Sequence, residues 1–143
     1  MKAKEYMQQV TKLDLMIQNK QIEADQWKRI ALGITSHNEG ERVKASGSQQ
    51  KMADAVSRYV DIERYIDSQI DKLADLKQQI IQDIEQLPAP EYDVLHKIYI
   101  QGMEMDEVAT AKSKSYTWVT TVHGNGLKAL QKILNERETD DDE

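Results

Sequence analysis

Hydrophobic residues recur every three or four positions along two long stretches that contain neither glycine nor proline. Residues 2–32 form the first stretch and residues 51–87 the second, and this spacing predicts one long amphipathic helix in each. In the second helix the apolar positions form a stripe that is interrupted only at Glu63 and Lys77. The stripe consists of Met52, Val56, Tyr59, Ile66, Ile70, Leu73, Ile80 and Ile84.

The segment between these helices has the composition of a loop. Residues 33–50 hold three of the six glycines together with serine, threonine and asparagine, which favour turns over helix interiors. We predict that the two helices fold back on each other as a hairpin over residues 1–87. The stripe of the second helix is too long to be covered fully by the first helix, which has about 30 residues. We therefore also expect a homo-oligomer that forms through this stripe. The alternative interpretation is an intramolecular core or a spacer.

Both prolines of the chain follow the second helix, in the segment LPAP of residues 87–90. Proline removes a helix donor and restrains the residue before it, so a new unit begins there. Three shorter helical patterns follow. Gly102 ends the first, the segment MDEVATAK forms the second, and Ser115 is placed to cap the third. A short helix, a tight turn and a longer helix predict a helix-turn-helix over residues 88–135.

Charge is distributed unevenly along the chain. Acidic residues outnumber basic ones 25 to 19, yet residues 108–135 contain no acidic side chain, whereas residues 136–143 contain six. We expect the latter to be a disordered acidic tail. A helix in the major groove runs between two rows of phosphates that would repel carboxylates, so the acid-free segment favours double-stranded DNA as partner. The predicted DNA-binding residues are Lys112, Lys114, Ser115, Tyr116, Thr117, Thr120, Thr121, Asn125, Lys128 and Lys132.

Individual roles follow from the chemistry of these side chains. Lys112, Lys114, Lys128 and Lys132 suit contacts with phosphate, while Thr120, Thr121 and Asn125 can reach base edges. Trp118 lies next to Val119 and is assigned to the small core. Gly124 and Gly126 each weaken the third helix by about 1 kcal/mol relative to alanine.

The same residues carry a resemblance to known families. Residues 87–130, with Gly102, the segment EVA, Ser115 and the pair Leu127 and Leu130, resemble region 4 of bacterial sigma factors. The segments GERVKASGSQQKMADAV, LADLKQQI and VHGNGLKAL are similar to those of phage and prophage proteins of Gram-positive bacteria. Those proteins are grouped with the ArpU/RinA-type late transcription regulators. The resemblance implies a phage-encoded regulator in the bacterial cytoplasm, acting at promoters with host RNA polymerase.

Other classes of protein are disfavoured by what the sequence lacks. It has no cysteine, no phosphate-binding glycine loop and no nucleophile motif, and its three histidines lack metal-ligand spacing. We therefore predict neither an enzyme nor a cofactor. No segment is apolar enough for a membrane span or a signal peptide. The expected fold is all-α, and the alternative function is a non-catalytic assembly or DNA-packaging protein, similar to a small terminase subunit, that works through the helical hairpin.

Overall fold

The computed structural model describes residues 1–33 and 45–141, and these residues are almost entirely helical. The described residues contain no strand, so the all-α prediction is confirmed. Of the described helices, none combines the length and the hydrophobicity that crossing a membrane needs. The helices are α1 (Ala3–Ala31), α2 (Ala45–Ile84), α3 (Ala89–Leu95), which continues as a π-helical segment (His96–Ile100), α4 (Met105–Lys112) and α5 (Tyr116–Asp141).

The chain forms two compact units, and both long helices contribute to each. The terminal unit consists of Met1–Leu13 and Leu73–Glu143, and the hairpin unit consists of Asp14–Lys72. The predicted boundary between residues 87 and 88 is therefore not where the structure divides. The start of α1 and the end of α2 belong with the C-terminal helices.

In the hairpin unit, the parts of α1 and α2 run in opposite directions. The ammonium of Lys20 lies 5.7 Å from the ring centre of Tyr65, and that of Lys28 lies 5.9 Å from the ring centre of Tyr59. As the residue number rises in α1 it falls in α2, as the predicted hairpin requires. Beneath these contacts the buried side chains are mostly small or β-branched: Ile17, Ala24, Ala55 and Ile66.

The buried face of α2 lies one position away from the predicted stripe at two places. Ala55 is fully buried and Gln69 is 8% exposed, whereas their neighbours Val56 and Ile70 are 48% and 44% exposed. The prediction selected the more hydrophobic residue of each pair. Packing instead follows the helical repeat, on which both Ala55 and Gln69 fall, and a small side chain such as that of Ala55 is favoured where helices approach closely.

Three residues of the predicted oligomerisation stripe are unavailable to a second molecule. Ile80 and Ile84 are completely buried and Ile66 is 5% exposed, so their assignment to an intermolecular interface was wrong. Ile80 and Ile84 belong to the main core of the terminal unit. The remaining positions are partly buried or exposed, and they are Met52, Val56, Tyr59, Ile70 and Leu73. Oligomerisation itself stays a prediction.

The core of the terminal unit joins helices that are distant in sequence. Met7 of α1, Ile84 of α2, Leu95 of α3 and Leu130 of α5 are all fully buried in one cluster. A second, smaller cluster joins α3, α4 and α5 and consists of Val94, Val108, Ala109, Val119 and Val122. These three helices are thus held by the ends of the long helices as well as by their own core.

Two segments that were predicted as irregular are helical. Helix α2 begins at Ala45, inside the predicted loop of residues 33–50, while residues 34–44 of that loop lie outside the described part. Helix α5 continues through Asp141, so the predicted disordered tail of residues 136–143 is helical as far as it is described. Arg137 joins this part of α5 to α2, because its guanidinium donates hydrogen bonds of 2.6 and 3.2 Å to the carboxylate of Asp83. That carboxylate also accepts from the hydroxyl of Tyr6.

Candidate nucleic-acid interface

The turn between α4 and α5 is short and is closed by hydrogen bonds. Ser113 adopts the left-handed conformation with φ of 55°, and the amide of Lys114 donates to the carbonyl of Ala109 at 2.9 Å. Ser115 then caps α5, because its hydroxyl oxygen accepts from the amide of Trp118 at 3.0 Å. The predicted cap is therefore confirmed, and the turn fixes the direction in which α5 leaves α4.

Helix α5 buries one face along most of its length. Val119, Val122, Leu130 and Leu134 are buried on this face together with Gly126. A Cβ atom on Gly126 would lie 3.1 Å from Cδ1 of Leu95, so the backbone of α5 lies directly against α3. This close packing determines which side of α5 faces away from the protein.

The opposite side of α5 carries the exposed stripe, which is defined here as Thr117, Thr121, Asn125, Lys128 and Lys132. All five side chains are exposed, and their spacing of three or four residues places them on one face of the helix. From Thr117 to Lys132 this stripe extends about 22 Å along the helix. It contains hydroxyl, amide and ammonium groups and no carboxylate.

Other predicted DNA-binding residues lie at the beginning of α5 or in the turn. Tyr116 is 58% exposed at the first position of the helix. Thr120 is half-buried, and its hydroxyl donates to the carbonyl of Thr117 at 2.9 Å. Lys114 is exposed, with its ammonium 5.2 Å from the ring centre of Trp118. Trp118 itself packs against the smaller core cluster, as predicted.

Lys112 does not lie where the prediction placed it. Its ammonium forms an ion pair with the carboxylate of Asp93, which also accepts from Lys97 at 2.7 Å. Burial alone would raise the pKa of the Asp93 carboxyl, but the hydrogen bonds from Lys112 and Lys97 outweigh it and hold that pKa below its usual value. Lys112 therefore links α4 to α3, and its assignment to phosphate is corrected to a structural role.

His123 faces the protein rather than the exposed stripe. Its Nε2 atom shares a hydrogen bond of 2.7 Å with the hydroxyl of Tyr99, and the two rings stack at a centroid distance of 5.7 Å. Burial lowers the pKa of His123, and the positive charge of Lys4 lowers it further. The neutral imidazole adds no charge to the interface.

One group of acidic side chains could be considered for a metal ion. Within the described residues, Glu104, Asp106 and Glu107 bring carboxylate oxygens within 4.8 Å of one another, and all three are exposed. They lie at the start of α4, where the amide of Glu104 donates to the Glu107 carboxylate at 3.1 Å. Negative charge at this end of a helix is favourable by itself, so helix capping accounts for the group.

Comparison with known proteins supports one part of the resemblance seen in the sequence. No protein-family model matches the chain, and no solved structure matches it. The chain is similar to the RNA polymerase sigma factor SigO of Bacillus subtilis (strain 168), with 22% identity over 129 residues that cover 90% of this chain and 68% of that protein. The phage and prophage family stays a prediction. Along most of its length, the chain is therefore similar to a bacterial sigma factor.

Proposed function

We propose that the protein is a non-catalytic regulator of transcription that binds double-stranded DNA through the exposed stripe of α5. The observation that carries this proposal is the face itself: about 22 Å of exposed helix without a carboxylate, in a chain with 25 acidic residues. This face lies on the longer helix of a helix-turn-helix. Similarity to a sigma factor supports the same role.

The chemistry of the stripe suits the major groove. Lys128 and Lys132 supply positive charge on its C-terminal half, where they would contact phosphates. Thr121 and Asn125 carry short polar side chains that can donate to and accept from base edges. Lys114 lies in the turn before α5 and adds a third cation near the N-terminal end of the exposed stripe. The stripe thus combines positioning contacts and base contacts on one helix.

RNA polymerase is the protein partner in this proposal. The similar protein is named as an RNA polymerase sigma factor, and the resemblance of residues 87–130 to sigma region 4 predicts action at promoters. The phage origin implied by the other segments belongs to the same proposal, with a bacterial host cell as the site of action.

A homo-oligomer is also part of the proposal. Val56 and Ile70 of the predicted stripe are 48% and 44% exposed, and burying such side chains is the usual reason for helices to associate. Two DNA-binding faces in one oligomer would raise the affinity through effective concentration. The same exposed residues would serve a DNA-packaging assembly protein, which is the alternative function.

The test is a titration of duplex DNA over a range of salt concentrations with three charge-reversal variants. We expect Lys128→Glu and Lys132→Glu each to weaken binding by about tenfold and to reduce the salt slope, because phosphate contacts are lost. Lys72→Glu is the matched control, since Lys72 is exposed on α2 in the hairpin unit and the net charge changes equally. Light scattering on the same samples gives the oligomer mass.

Two results would contradict the proposal. Equal weakening by Lys72→Glu would mean that net charge alone determines the affinity. No binding of the unaltered chain at low salt would remove direct DNA recognition, and the exposed stripe would then be assigned to a protein partner.

A further inference from the structure

Two glycines lie two positions apart in α5, and the fold explains only one of them. Both weaken the helix relative to alanine. A Cβ atom on Gly126 would meet Cδ1 and Cγ of Leu95 at 3.1 and 3.2 Å, as well as Cβ of Glu91 at 3.4 Å. Gly126 therefore lies where α5 packs closely on α3, and a larger residue there requires Leu95 to shift by a few tenths of an ångström.

Gly124 has no such neighbour. A Cβ atom built at this position has nothing within 4 Å, and the backbone dihedral φ is not in the left-handed region. Neither packing nor backbone conformation of the described structure requires a glycine here. An alanine would fit without contact and would favour the helix.

The position of Gly124 on the helix suggests another reason for the missing side chain. It lies three residues after Thr121 and four before Lys128, so it is on the same face of α5 as the exposed stripe, and it is itself half-buried. Its neighbours on this face are short polar side chains on one side and a lysine on the other. Side chains on this face are therefore shortest at Gly124 and longer at Lys128.

We propose that Gly124 is the point at which the backbone of α5 comes closest to the base edges in the major groove. This inference rests on the proposed DNA binding. Threonine and asparagine are short, and Thr121 and Asn125 reach base edges only when the helix backbone lies deep in the groove. A methyl group at position 124 meets the DNA surface first and holds both side chains away from the bases.

The test compares Gly124→Ala and Gly124→Leu with the unaltered chain. The probes are a duplex that the unaltered protein selects from a random pool and an unrelated duplex of equal length. We expect Gly124→Ala to raise the melting temperature by about 3 °C and to weaken binding of the selected duplex by about tenfold. Binding of the unrelated duplex, which depends on phosphate contacts, changes less. Gly124→Leu gives a larger loss.

Gly126→Ala is the matched control, because the same methyl group is added two residues away on the buried face. It should raise the melting temperature less than Gly124→Ala does, since Leu95 must shift to admit the methyl group. If Gly124→Ala lowers the melting temperature, the glycine serves the fold and the inference is wrong. Gly124→Ala could instead be more stable and bind the selected duplex as tightly as the unaltered chain. In that case the inference that the α5 backbone approaches the base edges at position 124 is wrong, while the proposed DNA binding stands. Failure of the unaltered chain to bind either duplex overturns the proposed function and this inference together.

Discussion

Replacement of Arg137 by alanine tests whether the end of α5 is part of the folded unit. The guanidinium of Arg137 donates two hydrogen bonds to Asp83, and the Asp83 carboxylate also accepts from Tyr6. Asp83 is only 4% exposed. Arg137→Ala leaves that buried carboxylate with the hydroxyl of Tyr6 as its remaining partner among the described residues.

The expected loss follows from the exposure of the two partners. Hydrogen bonds to charged groups contribute about 1.5–3 kcal/mol, and stranding a buried charge costs more. The Arg137 side chain is 40% exposed, so solvent screening reduces the value. We expect Arg137→Ala to lower the free energy of unfolding by about 2 kcal/mol. Arg137→Lys keeps the charge without the paired geometry, and its expected loss is about 1 kcal/mol.

Urea unfolding followed by circular dichroism measures these losses. A loss of about 2 kcal/mol shifts the midpoint by about 1 M urea. Glu136→Ala is the control, because Glu136 is the exposed residue just before Arg137 in α5 and such changes are usually within about 0.5 kcal/mol. A double variant with Asp83→Ala should lose less than the sum of the two single variants. If Arg137→Ala behaves like Glu136→Ala, the C-terminal part of α5 is not docked as the structure indicates.

Three further predictions concern other parts of the terminal unit. Burial, with the hydrogen bond to Asp83, raises the pKa of Tyr6 to about 12. Because the pKa in the unfolded chain is about 10, the protonated hydroxyl stabilises the folded state fully below pH 10, and about 2–3 kcal/mol of the free energy of unfolding is lost as the pH rises to 12. Urea midpoints between pH 9 and 12 should show that Tyr6→Phe lacks this loss, and identical profiles would refute the assignment. Gly102→Ala should cost about 1 kcal/mol in thermal unfolding, because Gly102 has φ of 76° and no atom near its Cβ position; no loss would mean that the turn adapts. Lys112→Gln should lower stability by about 1 kcal/mol, while Lys114→Gln leaves it unchanged, because the Lys112 ammonium forms an ion pair with the Asp93 carboxylate whereas the Lys114 ammonium lies over the ring of Trp118; equal stability would contradict the ion pair.

Features that depend on local sequence were predictable. Glycine and proline mark the ends of helices, and the hydroxyl of Ser115 caps α5 through an amide three residues away. Gly102 has the positive φ expected of a residue that ends a helix. Helix capping and termination depend on residues within about one helical turn of each other, so the local sequence is enough to predict them.

Features that depend on distant partners were not predictable. Lys112 was assigned to phosphate because nothing near it in sequence suggests a carboxylate partner, and Asp93 lies 19 positions away. Arg137 and Asp83 are 54 positions apart, so the acidic composition around Arg137 suggested disorder. Apolar character also failed to distinguish Ala55 from Val56, because that choice depends on the distance between helices.

The most direct test of DNA binding through α5 is site-specific crosslinking, since the chain contains no cysteine. Thr121→Cys places a single thiol in the exposed stripe, and Lys72→Cys places one on the hairpin unit. Each is mixed with duplex DNA that carries a mixed disulfide tethered to one base, and the crosslink that forms by thiol–disulfide exchange, with release of the small thiol, is followed by gel mobility. We predict rapid crosslinking of Thr121→Cys that competing unmodified duplex suppresses, with none above background for Lys72→Cys. Bound DNA that crosslinks to Lys72→Cys and not to Thr121→Cys would contradict the account.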